Sequence, residues 1–135
     1  MARKWLLIAL LALPATALAG DVTCNTEGNQ MELNACARDD FKKADAELNR
    51  VYGEVRKSLE GDTLALQRLR DAQRLWVQLR DADVEARYPV PDDEDYRMHH
   101  GSIYPLLVLS ARAETTRART AWLRTHFLER EEGQL

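Results

Sequence analysis

Residues 29–59, NQMELNACARDDFKKADAELNRVYGEVRKSL, decide the fold. Asn29 is a helix N-cap, and Glu32, three residues on, completes a capping box. Leu33, Ala37, Phe41, Ala44, Leu48, Tyr52, Val55 and Leu59 then recur at three- and four-residue spacing. That spacing sets them on one face of a helix of about seven turns.

Working towards the C-terminus, Gly61 stops this helix, and Asp62 or Thr63 caps a second. The second helix carries Leu69, Ala72, Trp76 and Leu79 on its apolar stripe. It ends before Tyr88-Pro89, because proline disfavours helix in the residue before it. Residues 88–101 read as a polar loop with two prolines, the acidic run Asp92-Asp93-Glu94-Asp95, and Gly101. Ser102 caps a third helix, with Pro105 tolerated in its first turn. Leu109, Ala113, Thr116, Thr120, Leu123 and Phe127 line its inner face. Neither internal repeats nor strand-like alternation is visible. The expected fold is all-α: a small three-helix bundle-like domain over residues 20–128, with helices 1 and 2 an antiparallel hairpin and a polar tail over 129–135.

Working towards the N-terminus, the chain reads as an export leader. Arg3 and Lys4 form a positive start, Trp5 to Leu13 an apolar run, and Ala17-Leu18-Ala19 a small-x-small cleavage pattern before Gly20. The apolar run is shorter than the roughly 20 residues that span a bilayer. Asp21-Val22-Thr23, before Cys24, lack the small apolar residues of a lipoprotein site. A signal peptide over 1–19 and a soluble, periplasmic or secreted product without a membrane anchor are therefore expected. Its 116 residues would hold 17 Lys and Arg against 22 Asp and Glu, a charge of −5. That length suits one domain, and that charge argues against nucleic acid as a partner.

Cys24 and Cys36 are the only cysteines. Export places them under oxidising conditions, so they are expected to pair as a structural disulfide. The bridge would fold the extended N-terminal segment back onto helix 1. Closing so short a loop contributes on the order of 2–3 kcal/mol.

These residues, taken with Asp45, Leu48-Asn49 and Tyr52 in helix 1 and with Gln73, Trp76 and Arg80-Asp81 in helix 2, carry a family likeness that continues through Gly101-Ser102 to Glu114, Thr116, Arg119 and Leu123. The chain resembles the LprI-type lysozyme inhibitor N-terminal domains, which are small, exported, cysteine-containing helical domains. The resemblance runs from Cys24 to about Leu123. It implies a second cysteine pair at positions that here hold Val84 and Ala111, so a whole disulfide is absent and apolar contact replaces it. It also implies lysozyme inhibition.

Weighed singly, most polar candidates read as structural. Trp76 fills the core while Arg80 pairs with a carboxylate such as Asp81 or covers a helix end. Asp45, Asn49 and Tyr52 on helix 1 read as one side of a polar interhelix network, with Glu114 and Arg119 on helix 3 as its partners. His99 and His100 are adjacent, lack further convergent ligands, and read as solvated loop residues rather than a metal site. His126 stands alone. No catalytic motif or phosphate loop is present, and neither an enzyme nor a cofactor is expected.

Charge distribution is more informative. Residues 81–95 hold seven acids and one base, Arg87, for a local −6. Residues 103–125 hold Arg112, Arg117, Arg119 and Arg124 against Glu114, for +3. Asp92, Asp93, Glu94 and Asp95 are the candidate partner-binding residues, since an exposed acidic segment steers a basic protein such as a lysozyme. The alternatives are an envelope module, structural or stress-related, that binds an endogenous protein, and a ligand or metal carrier.

Overall fold

The computed structural model describes residues 21–129. The expected leader over 1–19, and the tail beyond Glu129, lie outside the described residues. Asn29 opens the first helix through the expected capping box: its side chain accepts from the backbone N–H of Met31 and Glu32, and Glu32 accepts from Asn29 N–H at 2.8 Å. Helix α1 runs Gln30–Ser58. Gly61, at φ 97°, turns the chain in a conformation that favours glycine. Asp62 then caps α2, Thr63–Arg87, by accepting from Ala65 N–H at 2.9 Å.

Two local expectations change. The 88–101 segment is not wholly loop: Asp95 caps a short helix α3, Tyr96–His100, accepting from Arg97 N–H at 2.8 Å. Ser102 is not a cap. It lies in a 3₁₀ turn, Gly101–Ile103, where its carbonyl accepts from the Asn34 side chain of α1 at 3.0 Å. Helix α4 follows over Tyr104–Leu123 with Pro105 in its first turn, and closes in a wider π-type turn, Arg124–Leu128. Among the described residues there is no strand.

Helices α1 and α4 make the main packing contact. Many of the buried positions on these two helices are small: Ala35, Ala37 and Ala44 on α1, and Ala111, Ala113, Thr116 and Thr120 on α4. Small side chains let helix backbones approach closely and keep packing dense. The two helices run parallel. Asp40 meets Arg117 and Glu47 meets Arg124, two pairs seven residues apart on each helix and both 77 residues apart in sequence. Helix α2 runs antiparallel to both, since Gln73 meets Arg119 while Arg80 meets Thr116. It packs more loosely on α4 than α1 does. Below this, Leu48, Val51 and Val55 gather with Leu69 and Leu123 into a core that Tyr52, Leu59, Trp76, Phe127 and Leu128 enclose.

The face of α2 differs from the expected stripe. Leu79 is 59% exposed and Ala72 is exposed, while Leu69, Arg80 and Val84 are buried. Leu79 and Arg80 lie about 100° apart around the helix, so only one of them can face α4. The arginine takes that place because aromatic rings and a carboxylate receive it there.

The Cys24–Cys36 disulfide ties the extended N-terminal segment to α1, with Cα atoms 4.4 Å apart. Replacing Cys36→Ser should destabilise the domain by about 2–3 kcal/mol, lowering its melting temperature by roughly 10 °C. Thermal denaturation beside the parent checks this, and a thiol titration of the exported parent should find no free cysteine.

Glu47 joins three positive contacts of α1 and α4. It accepts from Arg50 at 2.8 and 2.7 Å and from Arg124 at 2.6 Å. The Arg50 hydrogen bond, with help from Arg124, holds its carboxyl down from the usual 4.5 to about 2. A carboxyl depressed on folding supplies stability above its unfolded pKa and loses it as pH falls through the folded one. The parent should therefore lose stability between about pH 4.5 and 2 more steeply than Glu47→Gln. Melting temperatures of both across that range test the difference.

Candidate functional site

The polar residues singled out in the sequence divide into two groups. Arg80, Asp81 and Trp76 come together with Thr116 and Arg112 at the α2–α4 contact. The Arg80 side chain, only 9% exposed, donates from Nε to Asp81 at 2.9 Å and from Nη1 to Thr116 Oγ1 at 3.4 Å. Its guanidinium carbon lies 5.5 Å from the Phe41 ring centre and 5.3 Å from that of Trp76. Arg112 adds a second cation to Asp81 at 3.3 Å. A buried guanidinium is tolerated only when its charge is met and its donors are engaged. Here one carboxylate, one hydroxyl and two ring faces do both.

Asp45, Asn49 and Glu114 lie outside this joint. Asn49 donates to Asp45 at 3.2 Å one turn away on the same helix. Glu114 faces solvent and meets Arg87 at 3.7 Å. Tyr52 packs half-buried against the core. Of the expected network, Arg119 reaches Gln73 and Glu114 reaches Arg87 across to α2, and further interhelix links are made by Asp40 with Arg117, Glu47 with Arg124 and Asp81 with Arg112. Asp40 and Glu47 had no distinguishing pattern in the sequence. An i, i+4 pair such as Asp45 and Asn49 satisfies itself along one helix, so its spacing does not signal a link to another.

The positive stretch 103–125 is largely neutralised by folding. Arg112 meets Asp81, Arg117 meets both oxygens of Asp40 at 2.5 and 2.6 Å, and Arg124 meets Glu47. Arg119 alone of the four has no carboxylate partner among the described residues. Its Nε donates to Gln73 at 3.1 Å, its Nη2 is buried without an acceptor, and burial pushes its pKa below the usual value.

The acidic stretch stays open at its tip. Asp92 and Asp93 are exposed and make no ion pair or side-chain hydrogen bond among the described residues. Glu94 meets His99 at 2.5 Å. Asp95 is engaged by the α3 cap and by the Arg97 side chain at 3.0 Å, and the Arg97 backbone bond lowers its pKa. His100 donates to the Pro89 carbonyl at 2.9 Å and stacks on Tyr104, so the segment is pinned where it meets α4. His99 is exposed and His100 half-buried, and each makes one contact within the segment. Among the described residues, no three His, Cys, Asp or Glu side chains gather as a metal site would require, and no helix is long and apolar enough to cross a membrane.

Val84 and Ala111, where the family likeness implies a second cysteine pair, are both buried, one on α2 and one on α4. They flank the Asp81–Arg112 pair, so polar and apolar contact together hold this end of the helix pair.

Comparison with known proteins agrees with the family likeness read from the sequence. The family model described as lysozyme inhibitor LprI matches residues 23–123. A Rhizobium meliloti (strain 1021) protein, itself described as uncharacterized, is 36% identical over 122 residues, covering 82% of this chain and 83% of its own. No solved structure matches. The chain belongs to the LprI lysozyme inhibitor family.

Proposed function

We propose that this member of the LprI family is an exported, non-catalytic binding protein that inhibits a lysozyme by covering its substrate cleft. The family description supports the activity. The observation that carries the choice of surface is the charge left unpaired after folding. The α4 arginines are mostly spent on α1 and α2, while Asp92 and Asp93 remain exposed on a segment whose ends are pinned. Lysozymes are generally basic, and an exposed acidic segment attracts such a surface from within a Debye length of about 8 Å at physiological salt. Pinning matters because a segment already ordered loses less entropy on binding. Occlusion requires no reacting group on the inhibitor. The export leader read at residues 1–19 fits a protein that meets lysozymes outside the cytoplasm.

The direct test is turbidity loss of a cell-wall suspension under lysozymes of several classes, with and without purified protein. Inhibition of at least one class at low micromolar protein is expected. No inhibition of any class at tens of micromolar would remove this reading and leave the envelope interaction module.

The acidic segment makes a second, kinetic prediction. Neutralising Asp92 and Asp93 to Asn should slow association with the inhibited lysozyme several-fold, leave dissociation nearly unchanged, and flatten the salt dependence of the on-rate. Stability should change by no more than roughly 0.5 kcal/mol, since both side chains are exposed. Adding Asp95→Asn keeps a competent helix cap. Stopped-flow or surface binding across salt concentrations checks this. An unchanged on-rate and unchanged salt dependence would show that docking occurs elsewhere.

A further inference from the structure

The cleft between α2 and α4 contains a group the fold itself does not explain. Arg119 lies between two indole rings, with its guanidinium carbon 4.7 Å from the Trp122 ring centre and 5.8 Å from that of Trp76. One nitrogen, Nε, donates to neutral Gln73, while Nη2 is buried with no acceptor. Arg112 Nε is also buried without a hydrogen-bond partner, but it lies 3.3 Å from the Asp81 carboxylate, and Arg117 and Arg124 meet Asp40 and Glu47. The same side chain lines two adjoining hollows. One, of about 270 Å³, has walls of Ala65, Leu69, Ala72 and Phe127 with Arg68 at its edge. The other, of about 310 Å³, is bounded by Trp76, Thr115, Ala118 and Trp122.

We infer that this cleft is a binding site for a carboxylate borne on an apolar group, with Arg119 taking the carboxylate and the tryptophans, Leu69 and Phe127 taking the apolar part. A guanidinium presents a planar fork that matches a carboxylate. Arg119 is half-buried and has no carboxylate within reach among the described residues, so an anion is the group that would complete it. At about 270 and 310 Å³ the hollows lie at the lower end of ligand-pocket volumes, roughly 300–1,000 Å³. They suit one side chain or one short acyl chain rather than a nucleotide. Trp122 is 44% exposed and stacks on His126 at 4.5 Å between ring centres, forming the outer wall. Two sources share this chemistry: a free aliphatic acid and the C-terminal carboxylate of a peptide ending in an apolar residue.

The test is direct titration of the purified full-length exported protein, read by calorimetry and tryptophan fluorescence. The probes are octanoate, N-acetyl-phenylalanine and the neutral N-acetyl-phenylalanine amide. At least one acid should bind with a fluorescence change, and N-acetyl-phenylalanine, where it binds, should exceed its amide by about tenfold or more. Binding of octanoate alone points to an aliphatic acid, and binding of N-acetyl-phenylalanine alone to a peptide C-terminus. Arg119→Gln should weaken acid binding by about tenfold or more, and Arg119→Lys by less. If neither variant folds, the acid-to-amide ratio on the parent still decides. Binding of neither acid up to about 10 mM, or equal binding of acid and amide, overturns the assignment. No lysozyme enters this experiment, so its result is independent of the inhibition assay.

Discussion

The close parallel contact of α1 and α4 sets the terms for everything else. Alanines and threonines fill it, so the two helices approach nearer to each other than either does to α2. A third helix laid against such a pair meets a surface with little side chain to interlock with. It must reach across with its own. Helix α2 does this with Leu69, Trp76 and Arg80, and α4 answers with Arg112, Thr116 and Arg119. The tight contact on one side and the long-armed contact on the other follow from one choice of small residues. The hollows beside Arg119 are what remains where the long arms do not quite fill the space.

The first helix, its cap, the turn at Gly61 and the disulfide were all legible in the sequence because each depends on residues close in the chain. The face of α2 was not. Reading apolar residues alone selected Leu79, whereas the fold buries its neighbour Arg80, and Phe41 and Thr116, brought near only in three dimensions, join Trp76 and Asp81 in making that burial tolerable. Helix α3 was hidden for another reason: five residues are too few to display a period, and its cap, Asp95, read first as part of an acidic run. The site was legible in the same uneven way. Exposed acids declared themselves by composition. The fate of the α4 arginines did not, because pairs such as Asp40 with Arg117 lie 77 residues apart.

That long-range pairing changes what net charge means. Counted along the chain, α4 is a basic segment that would compete with the acidic stretch for partners. Folding withdraws three of its four arginines into links with α1 and α2, where they act as fasteners. Exposed ion pairs contribute little each to stability, so their larger effect is on the field outside the molecule. With the cations matched, Asp92 and Asp93 stand without local opposition.

The same withdrawal isolates Arg119. A guanidinium beside indole rings gains from their faces, yet those faces supply no formal negative charge. Nor does Gln73, which accepts one hydrogen bond as a neutral amide. The remaining Nη2 is therefore of a different kind from the nitrogens of Arg80, which meet Asp81 and Thr116 on the same pair of helices. A wholly structural arginine is built like Arg80, with a carboxylate within reach. The helix pair around Arg119 is joined at its far end by Asp81–Arg112 and by buried Val84 and Ala111, contacts that hold without covalent linkage. An incompletely satisfied cation held between aromatic walls is the physical requirement of a cleft that takes an anion.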